Sequence, residues 1–138
     1  MTSYEELIAE IKVSEGFVAK LYKDPHGLLT IGYGTLIEDG ISEEEADMLL
    51  RHRLTKVASE LIARVPWSDR LETSIQLTLL DMAYNMGVPR LMGFKNMWAA
   101  LKNGDYKQAG AEVLDSAYAR QLPNRANKNA KAIVEAVV

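Results

Sequence analysis

Four glycines and a proline between positions 16 and 34 limit what the first third of this chain can become. Gly16, Pro25, Gly27, Gly32 and Gly34 fall in the stretch Glu15 to Thr35, EGFVAKLYKDPHGLLTIGYGT. A helix interior tolerates neither proline nor repeated glycine. Before the stretch, Tyr4, Leu7, Ile8 and Ile11 recur at helical spacing, so a helix with an apolar stripe leads into it. Ser3-Tyr4-Glu5-Glu6 fits the capping box that starts such a helix. Gly16 is a common stop, so the helix should end near Val13 or Ser14 and leave Glu15 at its terminus. Lys23-Asp24-Pro25-His26-Gly27 is turn chemistry, with Pro25 presetting a type I turn. The flanks, Phe17 to Tyr22 and Leu28 to Tyr33, read as two strands of a hairpin, and Leu36 to Gly40 closes the small sheet. Gly32 and Gly34 alternate with Tyr33 and Thr35, which suggests backbone that another group approaches closely.

This stretch delivers three polar side chains of chemical interest: Glu15, Asp24 and Thr30. Two carboxylates in unlike surroundings can divide acid and base roles, because the drier one keeps its proton longer. Val13, Phe17 and the helix end are expected to dry Glu15, while the turn leaves Asp24 wet and ionised. Glycoside hydrolysis uses such a pair. The plainer readings are a solvated helix-end acid for Glu15, an Asx-type turn cap for Asp24 and a β-branched strand residue for Thr30.

The remainder reads as helices. Ser42 to Glu45 is a second capping box, with acids where a helix N-terminus favours them. Ala46, Leu49, Leu50, Leu54, Val57, Leu61 and Ile62 carry a stripe to Arg64, and Val65-Pro66 ends it. A helix of about 22 residues would be roughly 33 Å long. Asp69 with Glu72 caps a third helix, whose residues Leu71, Ile75, Leu77, Leu79, Leu80, Met82, Ala83 and Met86 leave few polar sides, so it should be buried all round. Gly87-Val88-Pro89 stops it. A short helix follows on Phe94, Met97, Trp98 and Leu101, and Asp105 caps another carrying Ala109, Val113 and Leu114. Gln121 to Asn124 reads as irregular, and Pro123 opens a last helix with a stripe of Ala126, Ala130, Ile133, Val134 and Val137.

These elements give an α+β fold, mainly helical, and 138 residues suffice for one folding unit with a real core. There are no cysteines, hence no disulfide framework or thiolate metal site. His26 and His52 lie far apart without ligand-like neighbours, and we expect neither metal nor cofactor. No run reaches the length of a membrane span, and no basic-then-apolar leader is visible. A net charge of −3 gives no reason to expect a nucleic-acid partner and does not supply long-range attraction to an anionic polymer.

The residues Glu15-Gly16, Tyr22-Lys23-Asp24, Gly27 and Thr30-Ile31-Gly32-Tyr33-Gly34 resemble the signature of the phage-type lysozymes, glycoside hydrolase family 24. The resemblance continues through Asp81-Met82-Ala83-Tyr84-Asn85-Met86-Gly87, Gly93-Phe94 and Leu122-Pro123-Asn124-Arg125-Ala126, in the family's order. It implies a two-lobed fold: a small β-containing lobe and connecting helix over 15–64, with 1–14 and 65–138 forming a helical lobe. It implies a monomeric muramidase that cleaves the β-1,4 bond between N-acetylmuramic acid and N-acetylglucosamine of peptidoglycan. Glu15 would be the general acid, Asp24 would activate a water and Thr30 would hold that water, which makes the mechanism inverting. Arg125 would pair with Glu15 and support the geometry, and Leu36, Tyr84 and Asn85 would contact substrate. The enzyme would wait in the bacterial cytoplasm and act in the periplasm after release by another agent. Thr35 stands where many relatives have His, and Met97 and Glu112 stand where close sugar binders have small or amide residues. The rival reading is a non-catalytic wall-binding or phage-tail domain on the same fold.

Overall fold

The computed structural model describes residues 3–136. Val137, expected on the last helical stripe, lies outside them. The described residues form eight α-helices and a three-stranded antiparallel sheet, as the α+β reading requires. No helix among them is long and apolar enough to cross a membrane. The chain divides into two compact units, with the break after Met48.

The first unit holds α1 (Tyr4–Glu15), β1 (Val18–Lys23), β2 (Leu29–Gly32), β3 (Thr35–Leu36) and the first residues of α2 (Glu43–Arg64). Ser3 and Glu6 close the expected capping box on α1. The helix runs to Glu15, slightly further than expected, and Gly16 stops it at φ 70°. Asp24 to Gly27 makes the predicted reversal, with the Gly27 N–H bonded to the Asp24 carbonyl at 2.9 Å. The sheet order is β1-β2-β3. Tyr22 pairs with Thr30, and Thr30 with Leu36, so these three residues share one sheet face. The α1 stripe is not buried: Ile8 is half-buried, and Tyr4, Leu7 and Ile11 are exposed.

The second unit begins within α2, a 22-residue helix with the Ser42–Glu45 capping box at its start. Of its apolar stripe, Leu61 is buried and Val57 packs against the core. A 3-10 helix, Pro66–Arg70, follows. Then come α3 (Thr73–Met86), α4 (Val88–Met92), α5 (Lys95–Lys102), α6 (Tyr106–Leu114), α7 (Ala117–Gln121) and α8 (Pro123–Val134). Pro123 opens α8 as expected.

Three expectations need correction here. Glu72 caps α3 by accepting from the Ser74 N–H at 2.8 Å, while Asp69 belongs to the preceding 3-10 helix. The α3 helix buries one face only. Ile75, Leu79, Met82 and Ala83 are inside, and Leu77 is 61% exposed. Two residues from Ile75 and from Leu79, Leu77 points to the opposite side at helical pitch. Two short helices stand where none is expected, α4 over the segment read as a stop and α7 just before the segment read as irregular. Pro89 fits the first turn of α4, where its missing N–H costs nothing. Ser116 caps α7 by accepting from the Ala119 N–H. Trp98 is core, its indole N–H donating to the Leu91 carbonyl at 2.9 Å, and Trp67 meets it edge-on at 6.0 Å.

Candidate active site

The sequence candidates fall in two groups, one in each unit. Glu15, Asp24, Thr30 and Leu36 lie in the first. Tyr84, Asn85 and Arg125 lie in the second.

Glu15 is the last residue of α1. Its carboxyl group lies against the backbone of Gly34 in the turn between β2 and β3. A Cβ on Gly34 would stand 2.5 Å from Oε2 and 2.7 Å from Cδ of Glu15. The close approach expected at Gly34 is therefore present, and the approaching group is the candidate acid. Gly32, with the same φ of +71°, has nothing within 4 Å of such a Cβ.

The expected drying of Glu15 by its own neighbours is not found. Glu15 is exposed, Val13 is 86% exposed and Phe17 is 67% exposed. Val13 is two residues back on α1 and so points away from Glu15. The Phe17 ring instead meets Tyr33 at 5.6 Å, and the Lys12 ammonium lies 5.3 Å from the centre of the same Tyr33 ring.

Asp24, expected to be the wet partner, is half-buried. Its Oδ1 accepts from the N–H groups of His26 at 2.8 Å and Leu28 at 2.9 Å. The turn-capping reading of Asp24 thus holds. Both bonds use one oxygen, and they anchor Oδ1 at the head of the hairpin. Thr30 is 2% exposed, and its hydroxyl donates to the Leu28 carbonyl at 2.9 Å. With its proton committed, Oγ1 offers only lone pairs to a further partner. Leu36, beside Thr30 across the strands, is 56% exposed.

In the second unit, Arg125 on α8 is bound to Asp81 on α3. Its Nε donates to Oδ2 at 3.0 Å and its Nη2 to Oδ1 at 2.6 Å, a two-pronged ion pair. Within the second unit the partner of this arginine is thus Asp81. Asn129, one turn further along α8, donates to Asp81 Oδ2 at 2.9 Å and to the Tyr118 hydroxyl at 2.8 Å. The guanidinium bond from Arg125 holds the Asp81 carboxyl below its ordinary range, against the opposing effect of burial. The same bond raises Arg125. Burial raises Tyr118, and the charge of Asp81 adds to that.

Asp81, Asn129 and Tyr118 were given no role by sequence reasoning. The spacing of Arg125 and Asn129, four residues apart on one helix, was the available signal. Asn85 lines a cavity of about 610 Å³ with Arg90, Phe94, Tyr118 and Leu122. Tyr84 is 43% exposed. Met97 is fully buried core, and Glu112 accepts from the Gln108 amide at 2.9 Å. Among the described residues no group of three or more His, Cys, Asp or Glu is placed to hold a metal ion.

A family model described as phage lysozyme matches residues 12–133. The chain is 24% identical to a protein named probable T4-type lysozyme 1 of Dictyostelium discoideum, over 86% of this chain and 87% of that protein. It is 22% identical, with the same coverage, to probable T4-type lysozyme 2 of the same organism. The family match takes in Glu15, Asp24, Thr30, Leu36, Tyr84, Asn85 and Arg125 together, and by it this chain belongs to the phage lysozyme family.

Proposed function

We propose that the chain is a peptidoglycan hydrolase, specifically a muramidase that cleaves the β-1,4 bond between N-acetylmuramic acid and N-acetylglucosamine in the bacterial wall. The observation that carries this reading is the seating of a helix-terminal carboxyl group, Glu15, on the β2–β3 turn of the small sheet whose β1–β2 reversal bears Asp24 and whose middle strand bears Thr30. In this reading Glu15 gives its proton to the glycosidic oxygen as the bond to the anomeric carbon breaks. A water forms the new bond to that carbon from the opposite face. Asp24 takes the water's proton, and the lone pairs of Thr30 Oγ1 hold the water's other hydrogen. The anomeric configuration inverts.

Leu36, Tyr84 and Asn85 contact the glycan in this proposal, and Arg125 supports the geometry. The enzyme acts as a monomer on the periplasmic wall after release from the cytoplasm.

The test is digestion of purified sacculi. Wild type is expected to release reducing ends that are N-acetylmuramic acid. Glu15→Gln is expected to bind sacculi and release none. Binding without release by the wild type would establish the rival, a wall-binding domain without catalysis. Turnover by Glu15→Gln would remove Glu15 from the role of acid.

A further inference from the structure

We infer that Gly34 is a positioning residue for the proposed reaction: the hydrogen in place of its side chain leaves the volume that the Glu15 carboxyl group occupies. The inference rests on the reading of Glu15 as the acid.

Three atoms define the fit. A Cβ on Gly34 would lie 2.5 Å from Glu15 Oε2, 2.7 Å from Cδ and 3.1 Å from Cγ. Two of these distances are below any ordinary carbon contact, so every other amino acid would expel the end of the Glu15 side chain. The atoms met are all at the end of the exposed Glu15 side chain, so the carboxyl group is the part that moves and the turn backbone is the part that stays. The turn is anchored in its own way. Ile31 pairs with Thr35 and Thr30 with Leu36 on either side of Gly34. The contact therefore ties the end of a helix to the tip of the adjoining β-turn through the one side chain that must be aimed.

Gly32 supplies an internal comparison. It has the same φ of +71° and flanks the same turn, yet a Cβ there would meet nothing within 4 Å. Alanine at either site carries the strain of a left-handed backbone. Alanine at position 34 alone also displaces the acid. The backbone cost and the positioning cost are thereby separable within one hairpin.

The experiment compares Gly34→Ala with Gly32→Ala in the full chain, reading sacculus turnover, thermal stability and the 13C titration of the Glu15 carboxyl group. A misplacement of about 1 Å at a reacting group is worth on the order of 100-fold in rate. Gly34→Ala is expected to lose kcat by that order with KM little changed, and to shift the Glu15 carboxyl signal. Gly32→Ala is expected to keep kcat within a few-fold and leave that signal in place. The two backgrounds with and without Glu15→Ala complete a double-mutant cycle. Without the Glu15 side chain, Gly34→Ala should cost no more stability than Gly32→Ala, because the clash is gone.

Equal loss of kcat in both variants overturns the inference. So does an unmoved Glu15 signal in Gly34→Ala, or an excess cost at position 34 that persists without the Glu15 side chain. If Gly34→Ala folds in neither background while Gly32→Ala folds, the inference also falls. An active Glu15→Gln would instead overturn the proposed reaction, and the carboxyl signal and stability cycle would still report whether Gly34 places Glu15.

Discussion

Arg125 grips Asp81 with both prongs of its guanidinium, 3.0 Å from Nε to Oδ2 and 2.6 Å from Nη2 to Oδ1, joining helices whose contact residues lie 44 positions apart. The pair is partly open to water, with the two side chains 37% and 36% exposed. Exposure screens the attraction, and an ordinary surface pair would contribute little. Here the fork geometry and the Asn129 amide raise its worth. Arg125→Lys keeps the charge but loses the fork, so it is expected to lower stability by about 1 kcal/mol. Arg125→Ala should cost more, about 1–2 kcal/mol, since Asp81 then loses both guanidinium hydrogen bonds and keeps that of Asn129. Urea unfolding of the three proteins measures both differences.

The same network sets a pH dependence. The Asp81 carboxyl is held below its unfolded value, chiefly by the Arg125 bond. A depressed carboxyl contributes stability that is fully present above its unfolded value. That contribution is lost as pH falls through the lower, folded value. Wild type should therefore lose part of its stability as acid is added below about pH 4. Asp81→Asn should be less stable at neutral pH, and the gap should narrow as pH falls. Thermal melts at pH 7, 5 and 3 measure this, and a gap constant with pH would deny the linkage.

Gly110 sets two of the molecule's preferences against each other. It lies inside α6, where alanine would gain about 1 kcal/mol in helix propensity. A Cβ there would run into Val134 Cγ2 and stand 3.0 Å from the Ala130 carbonyl oxygen. Overpacking of that kind costs about 1–3 kcal/mol. The backbone carbonyl cannot rotate away, so the clash wins, and Gly110→Ala should lower the melting temperature. Val134→Ala in the same chain should recover part of the loss, because it removes the closer of the two contacts.

What could be read in the sequence was local. Ser3 with Glu6, Ser42 with Glu45 and Pro123 at a helix start are short-range chemistry, and each is found as expected. The Asp24–Gly27 reversal is legible for the same reason. What failed depended on which face a residue turns. Leu77 faces outward although α3 is apolar on most sides, and Val13 turns away from Glu15 although it is near in sequence. The ion pair of Arg125 with Asp81 joins two helices far apart in the chain; the four-residue spacing of Arg125 and Asn129 marks a shared helix face but not the acid it meets. The candidate site was half legible. The glycine alternation indicated that something lies close to the turn, but only the structure identifies Glu15 at Gly34 and open space at Gly32.

Thr30 offers the cleanest separation of chemistry from stability. Its hydroxyl donates to the Leu28 carbonyl, and that carbonyl also accepts from the Asp24 N–H at 2.9 Å. Removing the hydroxyl therefore orphans no acceptor. Valine has nearly the same shape and suits a buried strand position. Thr30→Val is expected to change stability by less than about 1 kcal/mol, the scale of one ordinary hydrogen bond. Activity should respond differently, because valine has no lone pair to hold a water beside Asp24. We expect kcat to fall about 100-fold or more with sacculus binding retained, and Thr30→Ser to recover much of the loss. The anomer first released by wild type, read by proton NMR, should be the inverted one. Retention would mean that no water attacks in the first step, and the water-holding role of Thr30 would be withdrawn even if Thr30→Val were inactive.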